Sequence, residues 1–359
     1  MNELRILTVV GARPQFVKAA AMSRAIAAVD GVSEVLVHTG QHFDPNMSQI
    51  FFDELGLAMP RVNLNIHGGS HGEMTGRMLA ALERLIVEER PDLVLVLGDT
   101  TSTLAGALAA AKLHVPVAHL EAGLRSYNRR MPEEINRVLT DHISALLLCP
   151  TATAVSNLRL EGIVRGVHDI GDVMYDAMLF AAAAARRSQI LDRLGIAGRR
   201  YAVATVHRAE STEDDENLRE IVAFVREQAR DCVVVLPIHP RLRRRIEEWN
   251  LDLAGILTCD PVGYLDMHRL LQSAVAVFTD SGGLQKEAYF HRVPCVTLRS
   301  ETEWVETVEA GWNKLWKGPD FVARREIDAY GDGRAAAKAV TLIVDYLRCQ
   351  PRTAFEPSF

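Results

Sequence analysis

The sequence predicts an α/β protein made of two doubly wound, Rossmann-like parallel sheets, and three observations carry that expectation. Short, near-continuous apolar runs alternate with helical stretches almost throughout, as they do where parallel strands are covered on both faces. The alternation restarts midway, which makes two successive βα halves. At 359 residues there is room for two domains of about 150 residues each.

In the first half, Leu4–Val10 is a continuous apolar strand, followed by a loop and a small-residue helix, Phe16–Ala28. Val35–Thr39 reads as the second strand. Met74–Glu89 has helical spacing, with Met78, Leu82, Leu85 and Ile86 on one face. Leu93–Leu97 is a third strand, Thr103–Lys112 an Ala-rich helix and Val115–Leu120 a fourth strand. In the second half, Tyr201–Thr205, Cys232–Pro237, Gly255–Leu257 and Val275–Thr279 read as strands, with helices at Asp215–Gln228, Tyr264–Gln272 and Leu284–His291. The expected organisation is a first domain over 1–171, a second over 172–340, and a C-terminal helix and tail over 341–359 free to pack back on the first. Ligands are then expected in a cleft between the domains, at the carboxyl ends of the strands.

Composition narrows the function. Forty Lys and Arg against 46 Asp and Glu give a net charge of −6, a poor match to nucleic acid or an anionic membrane. Five dispersed cysteines form no CxxC pair and read as core residues in a reducing compartment. The N-terminal apolar run is broken at once by Gly11 and lacks the features of a secretory signal, and no apolar run is long enough to span a bilayer. These features predict a cytoplasmic protein.

The unusual residues lie in the loops after strands: GARPQFVK (Gly11–Lys18), TGQHFD (Thr39–Asp44), GDTTSTLAG (Gly98–Gly106) and HLEAGLRSYNRRMPEEINR (His119–Arg137). The second half adds TVHRAE (Thr205–Glu210), PIHP (Pro237–Pro240), DPVGY (Asp260–Tyr264) and TDSGGLQKE (Thr279–Glu287). In the last of these, Ser281, Gly282 and Gly283 follow a strand and open a helix. Backbone N–H groups can there approach an anion at the positive helix end; a plain turn with Ser281 as helix cap is the alternative. Arg13 and Lys18 occupy a corresponding loop of the first half and suit the same phosphate. There is no GxGxxG after the first strand and no GxxxxGK[ST], which disfavours an NAD enzyme and a P-loop NTPase. No cofactor and no metal are expected; His67 and His71 are separated by Gly68 and Gly69, which argues against a helix presenting both. Asp99, Glu121, Glu133 and Glu134 gather in the loops of the first half, with His207 in the second, a set suited to general acid–base chemistry. Of Glu133 and Glu134, one is expected merely to cap the next helix.

Taken together and in this order, these loops resemble the non-hydrolysing UDP-N-acetylglucosamine 2-epimerases, a family of two-domain GT-B architecture, from Ile6 to about Leu315. The resemblance implies that Asp99, Glu121, Glu133 and His207 form the catalytic group. It implies a diphosphate site of Arg13, Lys18, Ser281, Gly282 and Gly283 with His239 beside it, Glu287 on the ribose and Tyr264 at the uracil. Arg137 would face the sugar, and Gln41 and His42 are substrate-binding candidates. The implied reaction inverts carbon 2 of a UDP-2-acetamido sugar by elimination of UDP to a 2-acetamidoglycal and its re-addition, without a cofactor, in a homodimer.

Two departures stand out. The family's best-known members carry a TTERP-like segment whose Arg lies in the active cleft; here the segment is SETEWVE, with Trp304 in that place. The segment IHGGSHG (Ile66–Gly72) lacks the Gln that some bacterial members use for a second, activating UDP-sugar. The pattern looks closer to the subgroup acting on UDP-2,3-diacetamido-2,3-dideoxyglucuronate, where Arg129 and Arg130 could meet a carboxylate at carbon 6. The competing readings are a hydrolysing 2-epimerase, a GT-B glycosyltransferase and a UDP-sugar-binding protein.

Overall fold

The computed structural model describes residues 3–41 and 54–349. The chain divides into two compact units, Met1–Ala177 with Ala329–Phe359, and Met178–Asp328. The division falls inside the helix Val173–Ala185, later than the 171–172 boundary expected from sequence, and the segment after Asp328 groups with the first unit. The last helix, Ala335–Cys349, buries Ala339, Val340, Ile343 and Leu347 and packs on the helix Arg13–Ala27. Asp176 caps its first turn, accepting from the N–H groups of Ala335 and Ala336 at 3.1 and 2.8 Å.

The first unit contains strands β1 (Leu4–Val10), β2 (Val32–His38), β3 (Val62–Asn63), β4 (Leu93–Leu97), β5 (Val117–Leu120), β6 (Leu146–Cys149) and β7 (Val167–Asp169). They form one parallel sheet in the order β3-β2-β1-β4-β5-β6-β7. Every residue of β4 is buried, as a central strand covered on both faces requires. The helix Thr101–Lys112 lies close on the sheet because its inner face is Ala105, Gly106 and Ala109; a Cβ on Gly106 would already be 3.2 Å from the Val9 and Val96 side chains. The second unit contains β8 (Tyr201–Thr205), β9 (Val233–Pro237), β10 (Ile256–Cys259), β11 (Val277–Thr279), β12 (Cys295–Thr297) and β13 (Asn313–Leu315), parallel in the order β10-β9-β8-β11-β12-β13. Strand order reverses between β1 and β4 and again between β8 and β11, so each sheet has a switch point where the flanking loops part and leave a crevice.

A buried polar network holds the loops at the first switch point. His119, fully buried in β5, has Nδ1 2.6 Å from Asp141 Oδ1 and Nε2 2.7 Å from the Gly98 carbonyl oxygen. Asp141, on the helix Pro132–Ile143, also accepts from the Gly123 N–H at 3.1 Å and from Arg125 at 2.7 Å. Arg125 in turn forks onto Glu161 at 2.6 and 2.7 Å, the bidentate geometry that suits a guanidinium. Gly123 has φ +81°, and a Cβ there would collide with the Ala154 carbonyl, so only glycine fits this turn.

Burial alone would raise the Asp141 carboxyl, but His119 and Arg125 hold it below the ordinary range. A depressed carboxyl stabilises the fold above its unfolded value of about 4 and loses that contribution as pH falls through the lower folded value. Asp141→Asn is expected to cost about 3–5 kcal/mol at pH 7, and to remove part of the wild-type loss of stability in acid. Urea unfolding across pH measures both, and a variant as stable as wild type at pH 7 would show that the network does not hold the loops.

Candidate functional site

The crevice between β1 and β4 gathers the first group of side chains. β1 runs directly into Gly11, and the helix Arg13–Ala27 begins with Pro14 in its first turn, where a missing N–H costs no helical bond. Gln15, buried behind that turn, accepts from the N–H groups of Gly11 and Ala12 at 2.7 and 3.0 Å and donates to the Leu97 carbonyl at 2.7 Å. It thereby locks the loop after β1 onto the end of β4. One turn further along, Lys18 and Glu121 form a largely buried ion pair. A Cβ on Gly98 would lie 3.5 Å from both Lys18 Nζ and Glu121 Oε2, so the pair sits over the end of β4, beside Asp99. Glu121 adopts φ +75°, a left-handed conformation uncommon outside glycine, and so carries backbone strain at this point.

Asp99 is ion-paired with Arg137, and its backbone carbonyl accepts from Asn136 Nδ2 at 2.9 Å. Arg137 also donates to Glu134 at 2.9 Å. Glu134 is buried and accepts from the N–H groups of Ser126 and Tyr127, both at 2.9 Å, and from the Ser126 hydroxyl at 3.0 Å. Burial alone would raise its carboxyl; those bonds and Arg137 keep it below the ordinary range. Of the two adjacent acids, Glu134 therefore fixes the turn onto the helix, while Glu133 is exposed and makes no side-chain hydrogen bond or ion pair among the described residues. The acids of this loop set are thus matched by separate cations, Lys18 for Glu121 and Arg137 for Asp99 and Glu134, rather than crowded against one another. Gln41 turns to the start of the helix Thr101–Lys112, where its Oε1 accepts from the Ser102 N–H at 3.1 Å and hydroxyl at 2.6 Å. Arg130 is exposed in the loop before Glu133, with its backbone N–H on Asn128 Oδ1 at 3.1 Å. Arg13 opens its helix, and His42 lies outside the described residues.

In the second unit, Asp280 at the end of β11 is fully buried. Its Oδ2 accepts from the N–H groups of His207 and Arg208, both at 2.9 Å, and its Oδ1 lies 3.1 Å from His207 Nδ1. Burial alone would raise this carboxyl, but the hydrogen bonds from His207 and Arg208 hold it low. The ionised Asp280 orients the half-exposed His207 ring, leaving Nε2 for other partners. His239 lies beside it, ring centroids 5.9 Å apart, and caps the helix Pro240–Glu248 by accepting from the Arg241 N–H at 3.3 Å.

The helix Gly282–Phe290 starts at the same crevice. Ser281 Oγ caps it, accepting from the Leu284 N–H at 3.4 Å, which leaves the hydroxyl proton to donate elsewhere. At Gly282 a Cβ would displace the Glu303 carboxylate, which lies against it, whereas Gly283 faces open space with its nearest neighbour at 4.0 Å. Glu303 is held by Arg299 at 3.0 Å and approached by Arg208 at 3.9 Å. Burial would raise its carboxyl, and these arginines keep it below the ordinary range. Trp304 is buried beside it, with the Lys286 ammonium 3.7 Å from its ring centroid. Glu287 is buried in the same helix, and Tyr264 begins the helix Tyr264–Leu271 with its ring edge-on to His268 at 4.4 Å.

The structure therefore brings together Lys18, Glu121, Asp99 and Arg137 in the first unit, and His207 and His239 in the second. Residue-type reasoning missed Gln15, Asp280 and the Asp141 network; it named Glu134 but did not decide between Glu134 and Glu133. Asp280 had a signal: an acid directly after a strand and before the Ser-Gly-Gly turn stands where a switch-point loop begins.

A family model described as UDP-N-acetylglucosamine 2-epimerase matches residues 24–344. The chain is 54% identical over 317 residues to the UDP-2,3-diacetamido-2,3-dideoxy-D-glucuronate 2-epimerase of Pseudomonas aeruginosa, covering 87% of this chain and 88% of that protein. It is 39% identical over 362 residues to the UDP-N-acetylglucosamine 2-epimerase of Methanocaldococcus jannaschii, covering 95% and 99%. A crystal structure of the M. jannaschii UDP-GlcNAc 2-epimerase in complex with UDP-GlcNAc and UDP superposes with a TM-score of 0.84 over 96% of this chain and 99% of that one. The fold is of the GT-B type those enzymes share, and the chain belongs to the UDP-N-acetylglucosamine 2-epimerase family.

Proposed function

We propose that the protein is a non-hydrolysing 2-epimerase that inverts carbon 2 of a UDP-2-acetamido sugar. The observation that carries this reading is the arrangement at the first switch point, where Glu121 and Asp99 flank one strand end and each faces its own cation. Carbon 2 of such a sugar has no adjacent carbonyl, so its proton is not acidic enough for simple removal. Elimination avoids this difficulty: a carboxylate takes the proton as UDP leaves carbon 1, giving a 2-acetamidoglycal. UDP then returns and a proton arrives on the opposite face. The bookkeeping of atoms closes without an external redox partner.

On this reading the Ser281 hydroxyl and the N–H groups of Gly282 and Gly283, with His239 beside them, receive the diphosphate, while the Ser281 N–H is held by Thr279 Oγ1 at 2.9 Å; Glu287 receives the ribose hydroxyls and Tyr264 the uracil. Lys18 and Arg13 supply positive charge as the leaving group develops its own. Retaining the released UDP makes its re-addition effectively unimolecular. Asp99, Glu121 and Glu133 divide the proton transfers, and Asp280 keeps His207 oriented for its part. A second reading, that the sugar is UDP-2,3-diacetamido-2,3-dideoxyglucuronate, draws on the 54% identity to the enzyme named for that substrate. The exposed loop carrying Arg129 and Arg130 would face a carboxylate at carbon 6.

Incubation with each UDP-sugar in deuterated water tests the reaction. The expected result by NMR is a UDP-linked epimer carrying deuterium at carbon 2; a free mannosamine derivative with UDP released would show hydrolysis instead. Glu121→Gln is expected to reduce turnover by at least about a hundredfold while UDP affinity stays within a few-fold, read by calorimetry. Parallel loss of UDP binding would make Glu121 a ligand-holding group. Arg130→Ala is expected to lower kcat/KM about tenfold or more on the uronate and little on UDP-N-acetylglucosamine; equal effects would remove the uronate reading.

A further inference from the structure

Against the start of the helix Gly282–Phe290 packs a side chain from the following segment, Trp304, whose polar atom its own fold does not use. Trp304 is 6% exposed, yet its indole Nε1–H has no hydrogen-bond partner among the described residues. A buried N–H donor left unmade is costly, and native interiors rarely keep one without a reason. The position of this donor is informative, because Nε1 lies 3.6 Å from where a Cβ on Gly282 would stand, at the first residue of the helix. Trp304 therefore places a neutral donor beside the same helix start where the N–H groups of Gly282 and Gly283 can meet an anion.

The surroundings sharpen that donor. Lys286, 1% exposed, sits 3.7 Å from the centroid of the Trp304 ring. A cation against the π face is attracted by the ring and draws electron density from the indole, which strengthens its N–H as a donor. A guanidinium at position 304 would face this buried ammonium as a like charge, whereas an indole accepts it. Next to them Glu303 is committed to Arg299 at 3.0 Å, with Arg208 at 3.9 Å. Glu303, Glu210 and Asp280 stand against Arg208, Arg299 and Lys286 in this local set, so an incoming anion is recognised here by directed hydrogen bonds rather than by an excess of positive charge.

We propose that Trp304 is a phosphate-reading residue: its indole Nε1–H donates to an oxygen of the nucleoside diphosphate seated at the Ser281–Gly283 helix start, with Lys286 polarising the ring. This rests on the reading that the helix start receives the diphosphate. It adds a residue type the phosphate site was not expected to use and makes recognition there partly a matter of one neutral hydrogen bond.

The test follows the indole Nε1–H resonance of Trp304 in the 15N-labelled wild-type chain, and compares Trp304→Phe, which keeps an aromatic face for Lys286 and removes only the donor. UDP is expected to move the resonance downfield, and uridine is not. The substitution should weaken UDP binding about 10- to 100-fold, leave uridine binding within about twofold, and preserve the thermal midpoint. A resonance unmoved at saturating UDP overturns the proposal without any substitution. So does a folded variant that binds UDP as wild type does, or that loses UDP and uridine affinity equally. Wild-type protein that binds neither UDP nor uridine overturns the nucleotide reading itself, so the two failures are distinguishable.

Discussion

A carboxylate placed at a buried strand end is tolerable only where a cation or several N–H groups meet it, and both units are organised around that requirement. In the first unit Lys18 meets Glu121, Arg137 meets Asp99 and Glu134, and His119 with Arg125 meets Asp141. In the second, Asp280 is met by the N–H groups of His207 and Arg208 and by the His207 ring. The pairs are not decoration on a finished scaffold. Through Asp141 and Gln15 they fix where the loops after β1, β4 and β5 travel, and so where Asp99 and Glu121 are presented.

These carboxylates divide into two kinds by how fully they are satisfied. Asp141, Glu134 and Asp280 each accept three or more contacts and are buried almost completely. They are engaged in holding backbone and side chains, which makes them positioning groups. Asp99 keeps a third of its side chain exposed, and Glu133 is open to solvent. A proton-transferring group needs that remaining access, since it must reach a substrate atom as well as its supporting partner. Asp280 shows the connection between the kinds: a fully held acid whose task is to aim a histidine that remains half exposed.

The helix start at Ser281–Gly283 obeys a different constraint. Glycine at 282 lets the Glu303 carboxylate lie against the backbone, which a Cβ would displace, while glycine at 283 leaves open room. One of the two glycines is thus accounted for by packing within the unit and the other by clearance in front of the helix. Ser281 serves as the helix cap through an acceptor lone pair and still has a proton to give, so the structural and binding explanations of that serine are compatible.

Much of the frame was legible in the sequence. A continuous apolar run such as Leu93–Leu97 between turn signals reads as a central parallel strand, because a strand with one wet face would alternate. The loops after the strands carried the polar motifs in readable order. Strands of three residues, such as Cys295–Thr297 and Asn313–Leu315, escaped because so short a segment has no periodicity to detect; their neighbours in the sheet define them. The grouping of Ala335–Cys349 with the first unit, the choice of Glu134 over Glu133 as the committed acid, and the donor position of Trp304 were decided by tertiary structure alone. Each depends on which atoms lie within about 3–4 Å across long sequence separations, and one-dimensional spacing does not encode that distance.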